Sequence, residues 1–236
     1  MNATLTPVAF AAYDGPDALA RALAAHVAEA LRVRIATAGA ASLAVSGGRT
    51  PTRFFETLAG APLDWNRVHV TLVDERWVDE ASPRSNAGLV RAHLLRGPAA
   101  QARFLPLYTG AATPEEGLAA AQASLAGLPL PFAAVVLGMG DDGHTASFFP
   151  GASALPAALD PQGAAPLIAI RAEAAGEPRI TFTLPPLLAA QTLLLHIEGA
   201  GKRAVLEAAR AEGPAEALPI RAVLRARAPL DVLWCP

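Results

Sequence analysis

The feature that most limits what this chain can fold into is an alternation. Three short apolar runs rich in branched side chains, at residues 42–46 (SLAVS), 68–74 (VHVTLVD) and 132–137 (FAAVVL), are bounded by glycine or an acid. Runs of this length and make-up read as strands buried on both faces. The segments among them, residues 50–58, 85–95 and 114–125, are each long enough for a crossover helix. Strand, crossover and strand in this order argue a Rossmann-like, doubly wound α/β fold with a mainly parallel sheet flanked by helices. Upstream, Leu19, Leu23, Val27 and Leu31 recur every four residues after Pro16, as in an amphipathic helix with proline in its first turn. Downstream, residues 167–170, 179–184, 192–198 and 232–235 read as further strands and 202–210 as a helix, in no order that the sequence sets. Residues 150–166 and 212–219, rich in proline, glycine and alanine, read as loops.

With 236 residues, 53% of them hydrophobic, the chain can fill one large core, so residues 1–236 read as a single α/β domain. The formal net charge is −2 and the charges are scattered, which leaves no basic stripe for nucleic acid or an acidic lipid surface. An anionic ligand must therefore meet a local site. The one cysteine, Cys235, has no disulfide partner and suits a reducing compartment. The opening MNATLTPVAF carries no basic segment followed by an apolar stretch, and no later run is apolar for the roughly 20 residues a membrane helix needs. The expectation is a cytoplasmic protein that neither leaves the cell nor spans a membrane, a monomer or small homo-oligomer.

Three strand ends carry chemistry, and in a parallel sheet the carboxyl ends of strands face one crevice. The first is Ser46-Gly47-Gly48-Arg49-Thr50-Pro51, a glycine turn into a helix that Thr50 is placed to cap, with Pro51 in its first position. It reads either as an ordinary turn or as backbone N–H groups facing an anion. The lysine and spacing of a P-loop are missing. The second is Val73-Asp74-Glu75-Arg76-Trp77, where two carboxylates and a guanidinium leave a buried strand together. Charges there need solvent or partners, so the motif is either a surface ion pair or a site. Nearby, Ser85 and Asn86 open a helix, as caps or as sugar contacts.

The third, Gly138-Met139-Gly140-Asp141-Asp142-Gly143-His144-Thr145-Ala146-Ser147, is the strongest signal. It contains a formal G-x-G-x-x-G, but two aspartates inside the loop would repel a pyrophosphate. What it offers is an imidazole two residues after a carboxylate on a sharply turned backbone, a combination that suits a general base.

Together SGGRTP, VDERWV with SNAGLVRAHLL, and LGMGDDGHTASFFPG resemble successive signatures of the 6-phosphogluconolactonase family, in that family's order, with RITFT and GAGK continuing the agreement. The resemblance implies the fold shared with glucosamine-6-phosphate deaminases and a site for the small-molecule substrate 6-phosphoglucono-1,5-lactone, with no metal or organic cofactor. It implies His144 as general base with Asp142 and Asp74 as nearby acids. Arg76, Arg179 and Lys202 fall at positions associated with substrate or phosphate, beside Gly47, Gly48, Arg49 and Thr50 of the turn, with Asn86 a candidate sugar contact. Arg179 also reads as a surface arginine at a strand start.

Other classes lack their marks. The histidines at 26, 69, 93, 144 and 196 show no zinc-ligand spacing, and no G-x-S-x-G nucleophile elbow occurs. His26, His69, His93 and His196 read as helix-face or strand residues. A non-catalytic sugar-phosphate sensor would need a DNA-reading segment, which is not visible. An isomerase-deaminase shares the G-x-D-G-H loop, but in an ungapped alignment Phe149 stands where that enzyme's glutamate would be.

Overall fold

The computed structural model describes residues 8–226 and 228–236, so most of the amino-terminal segment read for a leader lies outside it. The first half runs β1 (Ala9–Ala12), α1 (Pro16–Ala38), β2 (Ala41–Val45), α2 (Thr52–Ala59), β3 (Val68–Leu72), β4 (Asp74–Arg76), α3 (Asn86–His93), β5 (Arg103–Leu105) and α4 (Pro114–Ser124). The second half runs β6 (Ala134–Leu137), α5 (Leu155–Leu159), β7 (Leu167–Ile170), β8 (Arg179–Phe182), α6 (Leu184–Leu188), β9 (Thr192–Glu198), α7 (Ala200–Arg210), α8 (Ile220–Leu224) and β10 (Leu230–Cys235).

The main sheet has seven strands in the order β1-β10-β9-β6-β2-β3-β5, with parallel pairing throughout. From β2 the chain steps outward to β3 and β5, then returns to build β6, β9 and β10 on the other side of β2. The winding therefore reverses between β2 and β6, the place where a sheet of this kind opens a crevice. Both strands are buried along their whole length, which is why their sequences are apolar without alternation. On α1, Leu19, Leu23, Val27 and Leu31 form the buried stripe. Phe54, Phe55, Trp65, Phe132, Phe148 and Phe182 are fully buried, each side chain contributing about 1.5–3 kcal/mol.

A second sheet, β4-β8-β7, is antiparallel and hangs from the first at Val73. The Val73 N–H donates to the Val45 carbonyl at 2.9 Å, while the Val73 carbonyl accepts from the Phe182 N–H at 3.0 Å. The expected strand at 68–74 is thus two strands that change sheets at Val73, because the charged residues after it have no place between β2 and β5.

Other expectations need correction. Thr50 does not cap α2: the first helical bond runs from the Phe55 N–H to the Pro51 carbonyl at 2.8 Å, so the helix starts past Thr50 and leaves it at the crevice. The expected loop at 150–166 contains α5, drawn into a helical turn by burial of Leu155 and Ala158. The strand expected at 179–184 stops at Phe182, since Pro185 and Pro186 suit the start of α6 and cannot donate to a ladder. The short strands β1 and β5 had no legible signal. Among the described residues no helix is long and apolar enough to cross a membrane.

Candidate active site

Where the winding reverses, a cavity of about 410 Å³ opens between the carboxyl ends of β2, β6 and β9, closed at the sides by β4, β8 and the start of α7. Ser46 ties its two central loops together. Its N–H donates to the Val136 carbonyl at 2.9 Å, and its Oγ accepts from the Gly138 N–H at 3.2 Å. Gly47, Gly48, Arg49 and Thr50 then line one wall. No side chain fits at Gly47, where a Cβ would come within 1.8 Å of Asn86 Oδ1.

The opposite wall is the loop after β6. Thr145 Oγ1 donates to the Gly138 carbonyl at 2.8 Å, the Gly140 N–H to the His144 carbonyl at 2.8 Å, and the Gly143 N–H to the Gly140 carbonyl at 3.1 Å. The closed loop puts His144 Nδ1 at 2.5 Å from Asp142 Oδ1, which also accepts the His144 N–H at 3.1 Å. An ionised carboxylate only accepts, so in the neutral ring Nδ1 carries the proton and the lone pair is on Nε2. The hydrogen bond from His144 outweighs partial burial and holds the Asp142 carboxyl below the usual carboxylate range. Phe149 packs on the imidazole, ring centres 4.4 Å apart, and Gly140 leaves room for it: a Cβ there would lie 2.1 Å from Nδ1.

Cations and two acids, Asp74 and Asp141, complete the enclosure. Antiparallel register sets Arg76 directly opposite Arg179, and both line the cavity. Arg179 is 6% exposed, so it is not the surface arginine of the alternative reading. Its Nη2 donates to the Ala175 carbonyl at 2.9 Å and its Nη1 lies 3.9 Å from Asp74 Oδ2. Burial lowers its pKa, with the Arg76 charge adding to the effect and Asp74 opposing it. The Nε atoms of both arginines are shielded from water and have no partner among the described residues. Like charges opposed across strands repel, so the pair suits an anionic or carbonyl-bearing ligand. Asp74 Oδ2 accepts from Ser147 Oγ at 2.6 Å and does not bond His144, so the acid that touches the imidazole is Asp142. From α7, Lys202 Nζ donates to the Met139 carbonyl and lies 3.9 Å from Asp141 Oδ1, at the cavity's edge.

The same fold and motifs recur in known proteins. The chain matches the model described as glucosamine-6-phosphate isomerases/6-phosphogluconolactonase over residues 14–234. A 6-phosphogluconolactonase of Rhizobium meliloti (strain 1021) is 52% identical over 225 residues, 95% of this chain and 97% of that protein. The chain belongs to the 6-phosphogluconolactonase family. A family member from Pseudomonas aeruginosa is 51% identical across 92% of this chain and 90% of its own. The crystal structure of a 6-phosphogluconolactonase from Shewanella baltica OS155 superposes with a TM-score of 0.95 at 40% identity, covering 99% of this chain and 100% of that one.

For this family member, the residues singled out in the sequence converge on one cavity, with two exceptions: Asp142 reaches it through His144, and Ser85 caps α3, its Oγ accepting the Gly88 N–H, and does not line the cavity. Sequence reading missed three neighbours. His196, taken as a strand residue, also lines the cavity, with its Nε2 3.1 Å from Glu198 Oε1; a histidine and an acid at the end of an apolar strand were the available signal. Phe149 was noted for what it replaces, not for its contact with His144. Glu75 is fully buried, a placement its charged surroundings in the sequence did not suggest. Among the described residues no group of three or more His, Cys, Asp or Glu is arranged to hold a metal ion.

Proposed function

We propose that this protein hydrolyses 6-phospho-D-glucono-1,5-lactone to 6-phospho-D-gluconate, the lactone-opening step of the oxidative pentose phosphate pathway, as one cytoplasmic α/β domain in a monomer or small homo-oligomer. The observation that carries the reading is the Asp142–His144 pair at a cavity whose lining also includes a glycine turn and the cations Arg49, Arg76, Arg179 and Lys202. Family membership supports it.

In this mechanism the turn and Lys202 hold the phosphate, which takes no part in the reaction. His144 Nε2 removes a proton from water as the water oxygen attacks lactone carbon C1. The carbonyl electrons move to its oxygen, and Arg76 or a backbone N–H stabilises the oxyanion. Collapse of the intermediate restores the carbonyl and breaks the bond from C1 to the ring oxygen, which takes the proton back from the imidazolium. The new carboxylic acid then ionises. Asp142 stabilises the transient imidazolium and keeps the ring in one tautomer. Asp74, hydrogen-bonded by Ser147 and near Arg179, keeps that guanidinium oriented. The lactone already hydrolyses slowly in water, so one base worth about 10² to 10⁴-fold, with positioning, meets the need.

The test is acid release from freshly prepared 6-phosphogluconolactone, with the spontaneous rate subtracted, beside ammonia release from glucosamine 6-phosphate. The expected result is rapid hydrolysis and no ammonia, because Phe149, which in an ungapped alignment stands where the deaminase has a glutamate, packs on His144 and carries no proton. Ammonia without hydrolysis above background would replace this reading with the deaminase.

A further inference from the structure

Glu75 lies beside the proposed machinery and takes no part in the proton transfer. Its side chain is wholly buried, yet its two oxygens accept four hydrogen bonds. Oε1 takes the N–H groups of Arg76 and Asn86, each at 2.8 Å; Oε2 takes the Ala87 N–H at 2.8 Å and Ser85 Oγ at 3.1 Å. Two of these donors are the first amides of α3, which a helix leaves unsatisfied, and Ser85 Oγ accepts the third from Gly88 at 3.1 Å. Four donors converging on one group call for an ionised carboxylate. Burial, with the Asp74 charge adding to it, pushes the Glu75 carboxyl up, and the three N–H groups offset only part of that rise.

What the clamp holds is Asn86. Asn86 is 2% exposed, and its Nδ2 donates to the Asp74 carbonyl at 2.8 Å. A carbonyl only accepts, so this bond settles which way the amide faces and turns Oδ1 toward Gly47. Oδ1 has no hydrogen-bond donor among the described residues, and it occupies the space a Gly47 side chain would need. The Asn86 amide is thus wedged between the Asp74 backbone and the glycine turn.

We infer that Glu75 is a positioning residue: by pinning the amino end of α3 it holds the Asn86 amide as a spacer that sets the Gly47–Thr50 turn against the Asp74 strand. The inference rests on that turn being the phosphate cradle of the proposed lactonase. Glu75 acts through Asn86 and touches no substrate.

The experiment is a double-mutant cycle read in KM and in binding of the stable product 6-phosphogluconate. Glu75→Gln keeps the shape but sets an NH2 group against N–H donors, so the end of α3 shifts. KM and the product Kd should each rise about tenfold, with kcat changed far less, since a non-reacting anchor is lost. Asn86→Ala should do the same. The double variant should be no worse than the poorer single, because both act on one link. A merely structural Glu75 would lower Tm and the active fraction while leaving KM unchanged, and that result overturns the inference, as do multiplying effects in the double variant. If Glu75→Gln does not fold, Ser85→Ala, which removes one donor of the clamp, carries the same cycle: KM should rise, and not further in the Asn86→Ala background. Wild-type protein that fails to hydrolyse the lactone defeats the proposed function; active wild type with KM unmoved by these variants defeats this inference alone.

Discussion

Replacing Gly140 by alanine tests the proposed base without touching it. A Cβ at that position would stand 2.1 Å from His144 Nδ1, 2.2 Å from its Cε1 and 2.6 Å from Asp142 Oδ1. To reach an ordinary contact of roughly 3.5 Å, the imidazole must retreat by about 1.4 Å from its 2.1 Å position. The carboxylate is crowded by the same methyl, so both partners of the 2.5 Å hydrogen bond must leave their places. A misplacement of about 1 Å costs on the order of 10²-fold in rate, and loss of the base altogether about 10² to 10⁴-fold. Gly140→Ala should therefore lower kcat about 100-fold and approach the rate of His144→Ala from above. The fold should hold, with Tm moved by only a few degrees, because the displaced side chains are 31% and 41% exposed and leave no apolar void. The assay is steady-state hydrolysis of fresh 6-phosphogluconolactone with the spontaneous rate subtracted, alongside a thermal melt. A Gly140→Ala enzyme with kcat within threefold of wild type, while His144→Ala is inactive, would refute the claim that this bond orients the base.

Asp142→Asn should lower kcat about 10 to 10³-fold at neutral pH, since an amide can donate to Nδ1 and stabilise the wrong tautomer; wild-type turnover would free the imidazole from any need of the acid. The Asp142 carboxyl is held low by His144, so what the pair adds to stability is present above the ordinary carboxylate range and lost as pH falls through the lowered value. Melts of wild type and Asp142→Asn should accordingly converge below about pH 4, by a small amount given the exposure of both groups. Lys202→Ala should raise KM for the phosphorylated lactone with kcat nearly unchanged, as expected for an anchor on a non-reacting group; a large fall in kcat at constant KM would put Lys202 at the reacting carbon.

What the sequence determined by itself was local. Strands buried on both faces must be apolar throughout, so SLAVS and FAAVVL announced a parallel sheet, and the helical stripe from Leu19 to Leu31 announced the cover over it. The loop from Gly138 to Ser147 was equally plain, because an imidazole and a carboxylate two residues apart on a tight turn can meet without help from the rest of the chain. The tertiary structure decided everything that joins distant segments. Whether Arg179 lay on the surface depended on its pairing with β4, about a hundred residues earlier in the chain, a register no local pattern encodes. The same holds for the change of sheets at Val73, for Asp74 bonding Ser147 and not His144, and for His196 at the cavity wall. Glu75 is the clearest case: in sequence it is one charge among three in a row. Only the approach of α3, bringing two N–H groups and the Ser85 hydroxyl to a buried carboxylate that already accepts the Arg76 N–H, turns it into the clamp beneath the site.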